Sequence, residues 1–174
     1  MDLDVDFPAY RQGLANRQHL LAGGWTDDAI TDAVKSKVIF RRRRGVYARG
    51  PRPERAAYLL TNGQLDLAYL EEVREVMLGV SKNACVAGRT MCLLRGWDLL
   101  VEPDGVEIAL PAGSWFSRPG ISVTQLETRD VVQHRNAGYA PMSGLSPVDT
   151  VLHCAVVLPM REAVAIADSA MRAR

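Results

Sequence analysis

The sequence predicts an α+β protein in two parts, and three observations carry that expectation. Two β-prone triplets frame a run of arginines in Val38-Ile39-Phe40-Arg41-Arg42-Arg43-Arg44-Gly45-Val46-Tyr47-Ala48-Arg49-Gly50. Two short helical segments with a glycine turn between them precede that run. Beyond Gly50-Pro51-Arg52-Pro53, a rigid break, segments of period two alternate with segments of helical period.

The N-terminal part reads as follows. Asn16 caps a helix over Arg17–Ala22, which Gly23-Gly24 ends. Thr26 starts a second helix whose first turn carries Asp27 and Asp28, favourable against the positive end of the helix dipole. Ala29, Ile30, Ala33 and Val34 form its apolar stripe, leaving Thr31, Lys35 and Ser36 off it. Val38-Ile39-Phe40 and Val46-Tyr47-Ala48 then predict a β-hairpin with all four arginines at its tip. Helix, glycine turn, capped helix and basic hairpin in that order make a winged helix-turn-helix over residues 1–53. A small mixed α+β domain is expected over residues 54–174.

Charge sharpens the first part. The chain holds 21 basic and 20 acidic residues. Between Lys35 and Arg55 there are nine basic residues against Glu54 alone, whereas Ala56 to Arg174 has 10 basic and 13 acidic. Adjacent guanidinium groups repel one another, a cost that an anionic phosphate backbone offsets. A solvated charge run is the bland alternative. The expected DNA contacts are Thr26, Thr31, Lys35, Ser36, Lys37, Arg41, Arg42, Arg43, Arg44, Arg49 and Arg118. Asp27, Asp28 and Asp32 oppose phosphate, so the hairpin and the C-terminal end of the second helix are expected to supply most of the affinity.

In the second part, Glu54–Thr61 reads as a short helix. Asp66–Leu78 reads as a longer one, with Leu67, Leu70, Val73 and Met77 on its inner face and Glu71, Glu72, Arg74 and Glu75 mostly off it. Ala84–Gly96 reads as a core helix of small and apolar residues. Val106–Pro111 and Ile121–Leu126 alternate as half-buried strands, linked by the loop Ala112–Gly120, which contains Trp115 and Arg118. Pro147–Met171 is a helix pair broken at Leu158-Pro159. Val148, Val151, Leu152 and Ala155 line its first member, and Ala163, Val164, Ile166, Ala167 and Met171 its second.

Several function classes find no support in the residues. The chain lacks a phosphate-binding Gly-x-x-x-x-Gly-Lys loop, a Gly-x-Ser-x-Gly elbow and a His-Glu-x-x-His pair. Cys85, Cys92 and Cys154 sit among apolar neighbours without Cys-x-x-Cys spacing and read as buried thiols. His19, His134 and His153 are scattered, so no metal or other cofactor is expected. Glu102, Asp104 and Glu107 could suggest a metal nuclease, but the only lysines are Lys35, Lys37 and Lys82. Asp104-Gly105 is better read as a turn, and Asp149 with His153 as an ion pair one helical turn apart. No apolar run reaches the ~20 residues that span a bilayer. The N-terminus, Met-Asp-Leu-Asp-Val-Asp, is the opposite of a signal peptide, so a soluble cytoplasmic protein is expected.

The order of segments resembles the AbiEi-type antitoxin and transcriptional-regulator family, in its actinobacterial form with an N-terminal winged helix. The matching residues are Arg17-Gln18-His19-Leu20-Leu21-Ala22-Gly23-Gly24-Trp25, Arg44-Gly45-Val46-Tyr47, Ala84–Gly96, Val106–Pro111, Gly120–Thr124, and the tail from Ser146-Pro147 to Asp168-Ser169-Ala170-Met171. The chain departs from the family at Ala87-Gly88, where many relatives have Ser-His. It departs again at Asp149-Thr150…His153, where the charge order is swapped. The endonuclease-like domain that follows in some relatives is not expected in a chain ending at Arg174.

The resemblance implies a non-enzymatic, sequence-specific regulator that binds double-stranded promoter DNA and represses its own or a neighbouring promoter. A cognate toxin is the second partner it implies. The competing reading is a protein-interaction module or antitoxin whose second half docks a toxin, with DNA binding secondary. A nuclease remnant is the third.

Overall fold

The structure is a computed structural model of the 174-residue chain and describes residues 7, 13–56, 60–61, 64–114, 117–127, 129–135 and 141–173. It is mixed α+β and divides into two compact units: Met1–Glu54 with Leu78–Val80, and Arg55–Met77 with Ser81–Arg174.

The first unit runs β1 (Leu14–Asn16), α1 (Arg17–Ala22), α2 (Asp27–Lys35), β2 (Phe40–Arg43) and β3 (Val46–Ala48). Its sheet has the order β1-β3-β2, so the last strand lies in the middle. Both pairings are antiparallel, Asn16 opposite Val46 and Arg41 opposite Tyr47. Ala15, Leu20, Ile30, Ala33, Ile39 and Phe7 form the core, with Trp25, Val34 and Tyr47 packed against it. Local chemistry fixes each end. The Asn16 side chain accepts from the His19 amide at 2.9 Å, completing a capping box. The Thr26 hydroxyl accepts from the Ala29 amide at 3.2 Å.

The second unit begins with a small hairpin, β4 (Leu60–Thr61) and β5 (Gln64–Leu65), followed by α3 (Leu67–Gly79), whose last two residues belong to the first unit. The short helix expected over Glu54–Thr61 does not form there. Glu54–Ala56 has no regular structure, Leu60–Thr61 pairs with β5, and residues 57–59 lie outside the described residues. A lone helical turn fixes many dihedrals for few hydrogen bonds, so a nearby strand partner wins. Asp66 caps α3, its carboxylate accepting from the Tyr69 amide at 3.0 Å. Burial takes in most of this helix's circumference, so Arg74 and Glu75 are buried although the apolar stripe puts them outside, and Leu67 is exposed.

Then come β6 (Cys85–Val86), α4 (Gly88–Leu94), β7 (Val106–Pro111), β8 (Ile121–Leu126), β9 (Val131–His134), β10 (Met142–Leu145), α5 (Pro147–Val157) and α6 (Met160–Arg172). The five strands form one sheet in the order β8-β7-β6-β10-β9. The segment expected to be a helix from Ala84 therefore starts as a strand. Cys85-Val86 inserts between β7 and β10, and the helix begins only at Gly88. A short apolar run of small residues fits a buried strand as well as a buried helix. β7 and β8 are parallel, Val106 opposite Ile121, so the linking loop returns along the full strand. Trp115 of that loop lies outside the described residues. β9 and β10 were not legible in the sequence.

The expected break at Leu158-Pro159 separates α5 from α6. Cys92, Trp97, Cys154 and Ile166 form the core beneath them, with Leu99, Val151, Leu158 and Ala170 at its edge. All three cysteines are free and buried, and the sulfurs of Cys92 and Cys154 lie 3.8 Å apart. Val148, Leu152, Val164 and Met171, expected to pack inward, are exposed instead. The expected Asp149–His153 pair is also replaced. Asp149 accepts from the Asp130 amide, while His153 is buried and its pKa is lowered because burial disfavours the imidazolium.

One polar network binds the sheet to the helices. Arg89 reaches Glu107 on β7 at 3.2 Å and Glu162 on α6 at 2.7 Å, all three side chains being less than one-fifth exposed. The Arg89 amide also donates to Glu107 at 2.6 Å. Gly88 makes this approach possible: its φ is +53°, and a Cβ there would meet a Glu107 carboxylate oxygen at 2.0 Å. Beside it, the Thr90 hydroxyl accepts from the Glu107 amide at 2.9 Å and lies 2.7 Å from the buried Tyr69 hydroxyl. Replacing Arg89 by methionine keeps the volume but leaves two inward carboxylates without their cation. Urea denaturation of Arg89→Met should report a loss of about 3 kcal/mol. A loss under about 0.5 kcal/mol would show that the network is dispensable.

Candidate nucleic-acid interface

The candidate interface is built on β2, β3 and α2 of the first unit. β2 and β3 are joined by the two-residue turn Arg44-Gly45, where Gly45 has φ +75°, a conformation that glycine adopts without strain. The Gly45 carbonyl accepts from the Arg17 amide at 3.0 Å, tying the hairpin turn to the first residue of α1.

The arginines are not all at the tip: the first strand of the hairpin starts at Phe40 rather than Val38, so Val38-Ile39 precedes it and three of the four arginines fall within it. Only Arg44 is in the turn. Arg41 to Arg43 belong to β2, with a register shift between Arg41 and Arg43 that makes Arg42 the extra residue. A four-residue loop would have exposed the backbone of all four, whereas strand pairing satisfies it. Arg41 and Arg44 are exposed; Arg42 and Arg43 are half-buried and engaged within the protein. Arg49 is engaged as well, its guanidinium 5.7 Å from the centre of the Phe7 ring and donating to the Phe7 carbonyl at 3.4 Å.

On α2, burial of Ile30 and Ala33 turns Asp28, Thr31, Asp32 and Lys35 to solvent. Two of the opposing carboxylates are already occupied. Asp27 takes a two-pronged contact from Arg17, at 2.8 Å and 2.5 Å. Asp32 lies 3.6 Å from Lys35. The hydroxyls have partners too: Thr31 donates to the Asp27 carbonyl at 2.8 Å and Ser36 to the Asp32 carbonyl at 2.7 Å. Each hydroxyl oxygen therefore faces solvent as an acceptor, and Thr31 adds a methyl group. Thr26 spends its side chain on the helix cap.

Lys37 follows α2 with φ +58°, the one non-glycine residue with positive φ among the described residues. Its amide donates to the Val34 carbonyl at 3.2 Å, and the next amide, of Val38, reaches the Ala33 carbonyl at 2.9 Å. This is a helix C-terminus of the kind glycine usually closes. A cation stands where the backbone would favour glycine.

The first unit thus gathers Thr26, Thr31, Lys35, Ser36, Lys37, Arg41 to Arg44 and Arg49, the last exposed and leaning on Phe7. Arg118 belongs to the second unit, where it is half-buried and forms an isolated bridge with Ile121. The Arg17–Asp27 clamp and the left-handed Lys37 were missed. The first joins residues ten apart across a turn, and no sequence pattern marks the second. Glu107, weighed as a metal-nuclease carboxylate, is committed to Arg89. Among the described residues no cluster of three or more His, Cys, Asp or Glu side chains could hold a metal ion, and no helix is long and apolar enough to cross a membrane. No protein-family model matches the chain, and no curated protein matches it.

Lys37 yields a direct test of strain. Lys37→Gly should raise the stability of the protein by about 1 kcal/mol in denaturant melts, because glycine adopts positive φ without the Cβ penalty. Unchanged or reduced stability would mean that the lysine side chain contributes more than its backbone costs.

Proposed function

We propose that the chain is a sequence-specific regulator of double-stranded DNA whose first unit works as a winged helix-turn-helix, with α1 and α2 as the helix pair and the β2–β3 hairpin as the wing. The observation that carries this is the pair of exposed arginines, Arg41 and Arg44, on a hairpin whose inner strand is hydrogen-bonded on both sides and whose turn is tied to α1. A rigid cationic strip beside a solvent-facing helix suits phosphate contacts that position, with base contacts that specify.

Arg41, Arg44 and Lys37 contact phosphate in this reading. Lys35 and Thr31 on the exposed face of α2 face the bases. With its proton committed to the helix backbone, the Thr31 hydroxyl accepts from an adenine or cytosine amino group, or its methyl packs on thymine. The reading is non-enzymatic, and repression of a promoter follows from occupying it. An antitoxin role with a cognate toxin, and membership of the AbiEi-type regulators, rest on the order of sequence segments alone. A cytoplasmic location fits a DNA-binding role.

Fluorescence anisotropy with duplex upstream DNA over a salt series tests the proposal. The double substitution Arg41→Ala, Arg44→Ala should weaken binding strongly and lower the log–log salt slope by about 0.9 per arginine, without changing the fold. Lys37→Gly should lower the slope by a similar single step. Equal affinity and slope for native and double-substituted protein would refute the wing. Cleavage of the DNA by the native chain with a divalent cation would refute the non-enzymatic reading.

A further inference from the structure

The helix pair α5–α6 carries an apolar face that the core does not use. On α5 the inward residues are Thr150, His153 and Cys154, while Val148, Leu152 and Val156, spaced by four, lie on the opposite side. On α6 the inward residues are Ile166 and Ser169, while Met160, Val164 and Met171 lie opposite them. Val156 is 85% exposed and Met160 83%, and the other four are more than half exposed. Because both stripes face away from the shared core, they lie on the outer side of the pair. From Val148 to Met160 the titratable side chains besides the buried Cys154 are Asp149, bonded to the Asp130 amide, and His153, which is buried on the inner side.

We infer that this face is the interface at which two copies of the chain associate, α6 packing antiparallel on α6 of the second copy. Area supports a second copy. Covering these side chains with Val157 removes on the order of 700 Å² per chain, near the ~800 Å² per partner of a standard-size interface. It exceeds the ~300–600 Å² of the largest apolar patch on a typical monomer.

Charge supports the antiparallel arrangement. Arg161 and Asp168 are seven residues apart, so both flank the same edge of the α6 stripe, and both are exposed. A two-fold axis near Val164 brings Arg161 of each copy opposite Asp168 of the other, twice per dimer. In a parallel arrangement the edges that carry these charges fall on opposite sides of the seam, and both pairs are lost. Asp168 also holds Arg172 at 3.1 Å on its own helix, which leaves a second carboxylate oxygen for the neighbour. The inference stands independently of DNA binding.

Sedimentation equilibrium of the full chain from about 1 to 200 µM tests it. The native chain should form a dimer. Leu152→Glu and Val164→Glu, at positions already in solvent, should keep the circular dichroism spectrum and raise the dimer dissociation constant at least about 100-fold. Arg161→Asp or Asp168→Arg alone should weaken the dimer, and the two together should restore it. A native chain that stays monomeric throughout the range overturns the inference and leaves the face to a different partner. So does a dimer indifferent to Leu152→Glu and Val164→Glu, or a double charge swap as weak as the single ones.

Discussion

The two-sided pairing of β3 is the constraint on which the candidate interface depends. Val46 and Ala48 are buried, and their strand is bonded to β1 on one edge and to β2 on the other. A two-stranded hairpin alone is marginal in water. Here the third strand supplies the missing edge, and the Arg17 amide bonded to the Gly45 carbonyl adds a tether at the turn. The consequence is electrostatic. Arginines on a mobile loop would spread apart and lose their ordering entropy on binding a polyanion. A paired strand at Arg41 and a tethered turn at Arg44 have met the backbone part of that cost before any ligand arrives.

The same reasoning explains how acidic residues coexist with a basic face. Asp27 and Asp28 favour the start of α2 through the helix dipole, and Thr26 completes its cap. Left bare they would repel phosphate. The Arg17 fork on Asp27 and the proximity of Lys35 to Asp32 cancel two of the three charges locally. Exposed pairs of this type contribute little to stability. Their effect is a less negative local field at the start of α2.

In the second unit the constraint is a half-buried carboxylate. Glu107 can stay inside because Arg89 supplies a guanidinium and a backbone amide, and because Gly88 has no Cβ. Sequence patterning could not show this. Glu107 alternates with apolar residues along β7 as any half-buried strand residue does, and Arg89 sits in a segment that reads as apolar helix. What was legible were features whose cause is local: the caps at Asn16 and Thr26, the strand Val46-Tyr47-Ala48 after the arginines, the period-two strands Val106–Pro111 and Ile121–Leu126, and the Leu158-Pro159 break. What was not legible depended on distant partners. Cys85-Val86 becomes a strand only because β7 and β10 lie on either side. Val131–His134 and Met142–Leu145 are four-residue strands whose pattern is too short to mark them without the partner each has in the other. The outer stripes of α5 and α6 were read as core because apolar periodicity marks a face to be covered without saying by what. In the candidate interface, the residue types were legible, but the division between exposed Arg41 and Arg44 and half-buried Arg42 and Arg43 was not. It follows from the bulge at Arg42.

The central claim is that the β2–β3 hairpin and the exposed face of α2 form one DNA-binding surface. Titrating isotopically labelled protein with duplex upstream DNA, and following backbone amide signals by NMR, addresses it residue by residue. The account predicts that the largest shifts fall at Thr31–Lys37 and Arg41–Val46, with the Arg17 amide moving through its bond to Gly45. Shifts confined to residues 85–173, with these two segments unmoved, would contradict it.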